Sequence, residues 1–366
     1  MPTVTLELPH HAYDVLIDAG LLKSLGKLVR EINRGAKAAL IIDKNIEKSH
    51  GRVAARSLSA ADFDCVVGVM PPGEDYKTLG TVRGLYEVLL DAKLERQSPV
   101  VALGGGITGD TVGFVAATYL RGVPFVQVPT TLLAMVDASV GGKVGVNMPQ
   151  GKNLIGAFHQ PTRVVIDPDV LMTLPERELR CGMAECIKHG VIRDPELLDW
   201  TIAHAKAIAN LDSATMVELV ARNVAIKAGV VIRDEKEAGE RAHLNFGHTF
   251  AHAIEAAGRY GEAFDIHHGE AVALGMVAAT RLAVWQGLCD ESTLERVLAA
   301  VEAFGLPVHE KRLPGDSEMI AHMQLDKKVA DGKIRLVLPT RIGEVAVFDD
   351  VPQREIARAW ASLRET

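Results

Sequence analysis

Val100-Val101-Ala102-Leu103-Gly104-Gly105-Gly106-Ile107-Thr108-Gly109-Asp110 is a short apolar run followed by three glycines and the beginning of a helical pattern. An apolar run of this length that ends in glycine is typical of a buried strand with a tight turn into a helix. Similar runs at Ala38–Ile42 and Phe125–Val128 alternate with amphipathic stretches such as Thr78–Ala92. This alternation predicts a parallel sheet with flanking crossover helices.

The pattern changes from Pro175 onward, where long helical periodicities follow one another. A single core stops growing at about 250–300 residues, so a chain of 366 residues is expected to form two domains. We therefore predict an α/β domain over 1–174 and a mainly α-helical domain over 175–366. The helices predicted in the second domain are Pro175–Ile192, Pro195–Ala209, Thr215–Val231, Asn245–Ala257 and Gly269–Gln286.

Composition excludes several classes of protein. The formal net charge is −7, so binding of nucleic acid or of an anionic membrane through bulk charge is not expected. No apolar run reaches the roughly 18 residues of a membrane span, and the first residues do not resemble a signal peptide. The chain has 4 cysteines and no C-x-x-C pair, which fits a reducing compartment. We expect a cytoplasmic enzyme.

The glycine turn has a specific chemical use. Gly104, Gly106 and Gly109 match G-x-G-x-x-G, in which glycine lets the backbone approach a pyrophosphate at a helix N-terminus. The usual acidic residue about 20 positions downstream is missing, because the next apolar run ends in Pro129-Thr130-Thr131. Asp43, which follows Leu40-Ile41-Ile42, is the candidate instead. The pattern indicates a dinucleotide site of unusual layout.

Arg241, Asn245, His248 and His252 are spaced 4, 3 and 4 apart, so a continuous helix would align them in one stripe. Two histidines at i and i+4 form a common zinc half-site, although hydrogen-bonded core histidines would give the same pattern. Glu185 lies in an otherwise small and apolar helix, where a carboxylate is expected to be paired or ligated. One carboxylate with two imidazoles is typical of a catalytic zinc site.

Several cations and amides occur beside glycine turns or inside apolar helices. Each one alone is typical of a solvated surface, but together they suit a substrate that carries a phosphate and a carboxylate. They are Arg121, Lys143, Lys152, Asn153, Lys227, Arg241, Lys327 and Lys328.

Taken together, these segments resemble the 3-dehydroquinate synthase family. The resemblance rests on motifs that occur in order along nearly the whole chain. They are Pro72-Gly73-Glu74-Asp75-Tyr76-Lys77, Gly104–Asp110, Gln127–Leu133, Val136–Asn147, Gly151–Phe158, Met183–Gly190, Leu244–Glu255, His268-Gly269-Glu270 and Asp326-Lys327-Lys328.

The resemblance implies the roles of individual residues. Zinc, or cobalt, would be bound by Glu185, His248 and His268. The substrate would be held by Arg121 of the partner subunit, Asp137, Lys143, Lys152, Asn153, Lys188, Lys227, Arg241, Asn245, His252 and one of Lys327 and Lys328. NAD would contact Asp43, Glu74, Lys77, Gly105, Gly106, Asp110, Thr130, Thr131 and Thr173, with Lys143 and Lys152 at the same site.

The implied protein is a homodimeric carbon–oxygen lyase acting on a phosphate, in the shikimate pathway that leads to aromatic amino acids. It would convert 3-deoxy-D-arabino-heptulosonate 7-phosphate into 3-dehydroquinate and phosphate through a transient oxidation at C5. Two alternatives stay open: a cyclase of the inosose or valiolone synthase type, and a polyol dehydrogenase of the glycerol dehydrogenase kind. Lys227 with Arg241 argue against the first. Lys143, Lys152-Asn153 and Asp326-Lys327-Lys328 argue against the second, since a neutral polyol needs no cations for a phosphate.

Overall fold

The computed structural model describes residues 1–260, 264–324 and 333–365, without the side chains of 259 and 260. Strands occur mainly in the first half of the chain. They are β1 (Thr3–Leu8), β2 (His11–Ile17), β3 (Lys37–Asp43), β4 (Asp64–Met70), β5 (Val100–Gly104), β6 (Phe125–Pro129), β7 (Lys143–Met148), β8 (Gly151–Phe158), β9 (Arg163–Ile166), β10 (Leu336–Arg341) and β11 (Glu344–Phe348).

The α-helices become longer after residue 175. They are α1 (Leu25–Ile32), α2 (Arg52–Ala60), α3 (Leu79–Asp91), α4 (Gly106–Thr118), α5 (Glu176–Arg193), α6 (Pro195–Ala203), α7 (Ala205–Ala209), α8 (Ser213–Arg233), α9 (His248–Tyr260), α10 (His268–Trp285), α11 (Glu291–Ala303), α12 (Asp316–Gln324) and α13 (Gln353–Arg364). Short 3-10 turns lie at Leu21–Ser24, Lys44–Ile46, Glu74–Tyr76, Tyr119–Arg121, Pro168–Thr173 and Glu240–Asn245, and π turns at Glu47–Gly51 and Ala134–Ala138.

The first half of the chain is built on a seven-stranded sheet in the order β1-β2-β9-β6-β5-β3-β4. All neighbours are parallel except β1 and β2, so the predicted parallel sheet is confirmed. Strands β3, β5 and β6 are almost completely buried because helices cover both faces of a parallel sheet. The antiparallel hairpins β1–β2 and β7–β8 were not predicted. The sequence of β7–β8 is rich in glycine, which weakens the pattern of a strand.

The chain divides into two compact units. The first contains Met1–Pro175 and Leu211–Ile232, and the second contains Glu176–Asn210 and Arg233–Thr366. In the second unit, α10 is buried over most of its length and packs against α5, α9, α11 and α13. The predicted domains over 1–174 and 175–366 stay a prediction, and the structure differs from them in grouping 211–232 with the first unit.

Candidate functional site

In the first unit, the sheet changes winding direction between two neighbouring strands. β3 pairs with β4 on one side and with β5 on the other, and the chain then continues from β5 to β6. In open α/β sheets, ligands bind outside the carboxyl ends of the strands at such a switch point. Asp43 ends β3 and Gly104 ends β5, so the candidate acid and the glycine turn stand at this edge.

The glycine turn provides the features that a pyrophosphate requires. α4 begins at Gly106, and its N-cap Gly105 offers no side-chain cap, so the first N–H groups of the helix can receive an anion. The Thr130 N–H donates to the Gly104 carbonyl at 2.9 Å, and a Cβ added to Gly105 would lie 3.2 Å from the Thr131 methyl group. The structure therefore places both threonines beside the turn.

Lys77 and Asp110 form an ion pair in the first unit, with Nζ 2.5 Å from Oδ2. Lys77 is only 4% exposed, so its ammonium group is stabilised by Asp110 rather than by water. Burial raises the pKa of Asp110 above its ordinary value, whereas the charge of Lys77 acts in the opposite direction. Glu74, three residues before Lys77, accepts a hydrogen bond from the Asn147 side chain at 2.6 Å.

A second ion pair in this unit joins Lys227 on α8 to Asp137. The ammonium lies 2.5 Å from Asp137 Oδ1 and also donates to the Asp137 carbonyl. Lys227 is buried, and the interaction therefore fixes its position in the folded chain. The structure thus brings together two residues that the sequence motifs placed 90 positions apart.

The remaining predicted residues of the first unit lie on turns and on the β7–β8 hairpin. Lys143 begins β7, and Lys152 and Asn153 lie near the start of β8. Arg121 is exposed and has a positive φ of 66°. The hydroxyl of Thr173 lies 2.7 Å from His50 Nε2, a neighbour that the motifs did not indicate.

In the second unit, three predicted metal ligands lie together. Glu185 comes from α5, His248 from the first residue of α9 and His268 from the first residue of α10. Glu185 Oε1 lies 3.4 Å from His248 Nε2 and 3.8 Å from His268 Nε2. Ligand atoms bound about 2.0–2.1 Å from one tetrahedral zinc ion stand roughly 3.3 Å apart, so the donor set fits a zinc ion.

The second ring nitrogens of both histidines contact acceptors. His248 Nδ1 lies 3.1 Å from the Phe246 carbonyl, which can only accept, so Nδ1 carries the proton and Nε2 carries the lone pair. His268 Nδ1 lies 3.5 Å from Glu255 Oε1. Metal-ligating histidines usually have such partners, which orient the ring and strengthen the ligand. Glu255 was missed, although it is one turn from His252 on the same helix.

The charge of Glu185 is stabilised in a dry environment. Glu185 and Lys188 are each 1% exposed and form an ion pair one helical turn apart. Burial opposes ionisation of Glu185, but the positive charge of Lys188 outweighs it and holds the pKa of Glu185 well below its usual range. The carboxylate is therefore ionised at neutral pH, as a metal ligand must be.

A network of ion pairs holds the start of α10. The guanidinium of Arg177 on α5 donates to both carboxylate oxygens of Glu270, at 2.7 and 2.8 Å, and to Asp265 at 2.7 Å. Glu270 in turn accepts from the N–H of His267, the N-cap residue of α10. His267 Nδ1 lies 2.9 Å from Glu178, so this neighbour of His268 belongs to the helix cap.

Arg241, Asn245, His248 and His252 do not lie on one continuous helix, so they do not form a single stripe. Arg241 and Asn245 lie in the 3-10 turn Glu240–Asn245, and α9 begins only at His248. Gly247 adopts a φ of 77°, which ends the turn and separates it from the helix. His252 does lie one turn after His248, with ring centroids 5.8 Å apart.

Arg241 is buried, at 2% exposure, and is held by the loop that precedes it. Its guanidinium donates to the Glu235 carbonyl, while the Asp234 carboxylate accepts from the backbone N–H groups of 238, 239 and 241. Asn245 Nδ2 lies 3.2 Å from Glu237. The predicted Lys327 and Lys328 lie outside the described residues.

Comparison with known proteins agrees with this geometry. A valiolone synthase from Streptomyces hygroscopicus subsp. jinggangensis, solved with NAD+ and Zn2+, superposes with a TM-score of 0.88 at 31% identity and 98% coverage of each chain. A 2-deoxy-scyllo-inosose synthase, solved with carbaglucose-6-phosphate, NAD+ and Co2+, has a TM-score of 0.88 at 25% identity and full coverage of both chains. The fold is thus that of the dehydroquinate synthase-like cyclases.

Sequence profiles narrow this class to one family. The profile described as 3-dehydroquinate synthase N-terminal matches residues 67–181, and the profile described as 3-dehydroquinate synthase C-terminal matches residues 182–329. A 3-dehydroquinate synthase of Nostoc punctiforme is 48% identical over 355 residues, which cover 95% of this chain and 96% of that protein. The chain belongs to the 3-dehydroquinate synthase family. None of the helices within residues 1–260, 264–324 and 333–365 combines the length and the hydropathy of a membrane span.

Proposed function

We propose that this chain converts 3-deoxy-D-arabino-heptulosonate 7-phosphate into 3-dehydroquinate and phosphate, as a carbon–oxygen lyase of the shikimate pathway. The observation that carries the proposal is the identity to the Nostoc synthase along nearly the whole chain, which is well above that to the valiolone and inosose synthases. The donor set of Glu185, His248 and His268 supports it from the structure.

We assign NAD to the edge formed by the ends of β3 and β5, and a divalent ion, zinc or cobalt, to the Glu185 cluster. NAD supplies reversible hydride transfer when bound, and the ion polarises a substrate hydroxyl. Asp43 is suited to hydrogen-bond a ribose, and the N-terminus of α4 to hold the pyrophosphate. Lys77, fixed by Asp110, adds a buried cation for the same anionic group.

The residues of the chain would bind and orient the two anionic ends of the substrate. Lys143, Lys152 and Asn153 provide two ammonium groups and an amide for the phosphate. The reaction expels this phosphate, so cations that hold it stabilise the leaving group. Arg241 suits the carboxylate, because a buried guanidinium binds a carboxylate through two parallel hydrogen bonds.

Lys227 and Asp137 contact each other in this structure. We propose that a substrate hydroxyl or carboxylate replaces this contact when the substrate binds. Lys188 keeps Glu185 ionised, and His252 stands one turn from the proposed ligand His248. We assign NAD binding to the predicted domain 1–174 and metal binding to the predicted domain 175–366. The protein is proposed to work in the cytoplasm as a homodimer, with the exposed Arg121 of one subunit serving the other; sedimentation of the purified protein tests the dimer.

Phosphate release tests the function directly. The protein is incubated with NAD, Zn2+ and one of three substrates: the heptulosonate phosphate, sedoheptulose 7-phosphate or glucose 6-phosphate. We expect release only from the heptulosonate phosphate, with loss after exhaustive chelation and recovery on adding Zn2+ or Co2+. Release from either of the other two substrates would identify a different cyclase. Net accumulation of NADH without phosphate release would instead identify a polyol dehydrogenase.

A further inference from the structure

Asn147, near the end of β7, contacts two other segments of the first unit. Its backbone N–H donates to the Lys77 carbonyl at 2.8 Å, and its side-chain Nδ2 donates to Glu74 Oε1 at 2.6 Å. Its side-chain Oδ1 accepts from the Asn153 N–H at 2.9 Å. One residue therefore joins the turn after β4 to the tip of the β7–β8 hairpin.

These contacts determine the orientation of the amide and explain why asparagine stands here. The Asn153 N–H can only donate, so the atom that faces it is the amide oxygen, and the atom that faces Glu74 is the amide nitrogen. Aspartate could accept from Asn153 but would place a second carboxylate 2.6 Å from Glu74. Alanine would remove both contacts. The site thus requires one acceptor and one donor on the same short side chain.

The partners of Asn147 have different proposed tasks. Glu74 and Lys77 belong to the proposed NAD site, where Lys77 is already held by Asp110. Asn153 belongs to the proposed phosphate site and has a φ of 53°, in the left-handed region that asparagine tolerates better than most residues. The hydrogen bond from its N–H to Asn147 helps to hold this conformation.

We propose that Asn147 is a positioning residue which couples the two sites, so that binding of the phosphorylated substrate and of the dinucleotide reinforce each other. The inference rests on the proposed function, because it takes Glu74 and Lys77 as cofactor contacts and Asn153 as a phosphate contact. Ordering the hairpin tip around phosphate fixes Asn153, which fixes Asn147 and, through it, Glu74. Sites coupled in this way show affinity changes of about 5- to 150-fold.

The test measures how the substrate changes dinucleotide affinity. NADH fluorescence gives its Kd with and without saturating heptulosonate phosphate; the reduced cofactor cannot begin the oxidation, so no turnover intervenes. In the wild type we expect the substrate to lower the Kd by about tenfold. In Asn147→Ala most of this effect is lost, and in Asn147→Asp all of it is lost, because the two carboxylates repel.

A donor–acceptor exchange provides the matched control. In Asn147→Asp combined with Glu74→Gln, the amide nitrogen of the new glutamine can donate to the new aspartate, so the coupling returns at least in part. Glu74→Gln alone keeps an acceptor for Asn147 and is expected to retain coupling. Thermal unfolding of each variant separates a loss of coupling from a loss of fold.

When the heptulosonate phosphate binds the wild type, equal coupling in the wild type and Asn147→Ala, no coupling in the wild type, or no gain from the exchange would each overturn the inference. If the heptulosonate phosphate does not bind the wild type, the proposed function fails. Inorganic phosphate then replaces it as the probe of the Asn153 side. The same comparison of variants decides the role of Asn147 in that case.

Discussion

Replacing Gly269 with alanine should separate two helices and weaken metal binding. Gly269 follows His268 at the start of α10 and packs against α5. A Cβ at this position would lie 2.2 Å from the Cys181 carbonyl oxygen and 2.3 Å from its Cα, where ordinary contact begins at 3.4 Å. Both are backbone atoms, so no side-chain rotation relieves the clash, and the helices must move apart by about 1.2 Å.

The expected cost follows from this displacement. Overpacking a close contact costs about 1–3 kcal/mol, and the better helix propensity of alanine returns less than about 1 kcal/mol at the first turn. We therefore expect a net loss of about 2 kcal/mol from the free energy of unfolding. The midpoint of urea-induced unfolding, followed by circular dichroism in the presence of a chelator, measures it without a contribution from bound metal.

The same displacement acts on the metal donors. His268 Nε2 lies 3.8 Å from Glu185 Oε1, and a shift of about 1.2 Å would increase this distance to about 5 Å. Two donors on one zinc ion cannot be farther apart than twice the bond length, about 4.2 Å. Gly269→Ala should thus lose at least tenfold in zinc affinity, measured by competition with a chromophoric chelator.

Gly84→Ala is the matched control, because an added Cβ on this exposed glycine of α3 meets nothing within 4 Å. It should raise the free energy of unfolding by up to about 1 kcal/mol and leave zinc affinity unchanged. If Gly269→Ala unfolded at the wild-type urea concentration and bound zinc with wild-type affinity, the packing argument would be refuted.

Two further predictions concern the second unit. Glu255→Gln should weaken zinc binding by about 10- to 100-fold, because His268 Nδ1 loses its carboxylate partner; unchanged competition with a chelator would contradict this. Hydrogen bonding from Arg233 lowers the pKa of Glu240 from 4.5 to about 2, so its stabilisation is complete above pH 4.5 and fades as the pH falls toward 2. Glu240→Gln should therefore cost about 1–2 kcal/mol at pH 7 and much less near pH 2, and a pH-independent difference in unfolding midpoints would count against the ion pair.

The strands, the glycine turn and the long helices were predictable because their signals are local. The run Val100–Leu103 with three glycines became β5 and the start of α4, since apolar burial and a tight turn act over a few residues. The β7–β8 hairpin was not predicted, because its glycines weaken the alternation that marks a strand. The role proposed for this hairpin depends on contacts with the turn after β4, which is far away in sequence.

The residue types of the candidate metal site were predictable from the sequence, but their geometry was not. Spacing alone gave His248 and His252 as the pair on one helix, whereas the structure brings His248 to Glu185 and His268, which lie on two other helices. Periodicity carries information about neighbours on one helix and none about which helices pack together. The resemblance to a family supplied the choice of His268, and no spacing rule would have replaced it.

The turn at Gly247, which separates Glu240–Asn245 from α9, also explains the orientation of the proposed ligand His248. Gly247 has a φ of 77°, and a Cβ there would lie 2.8 Å from Met276 Cγ and 2.9 Å from its backbone nitrogen, so only glycine fits. In a continuous helix the Phe246 carbonyl would accept from the N–H four residues later. Because the chain turns at Gly247, that carbonyl instead accepts from His248 Nδ1 and directs Nε2 toward Glu185. A prediction from helical periodicity assumes that each backbone carbonyl accepts a hydrogen bond within its own helix. This assumption fails at Phe246, because its carbonyl contacts the side chain of His248.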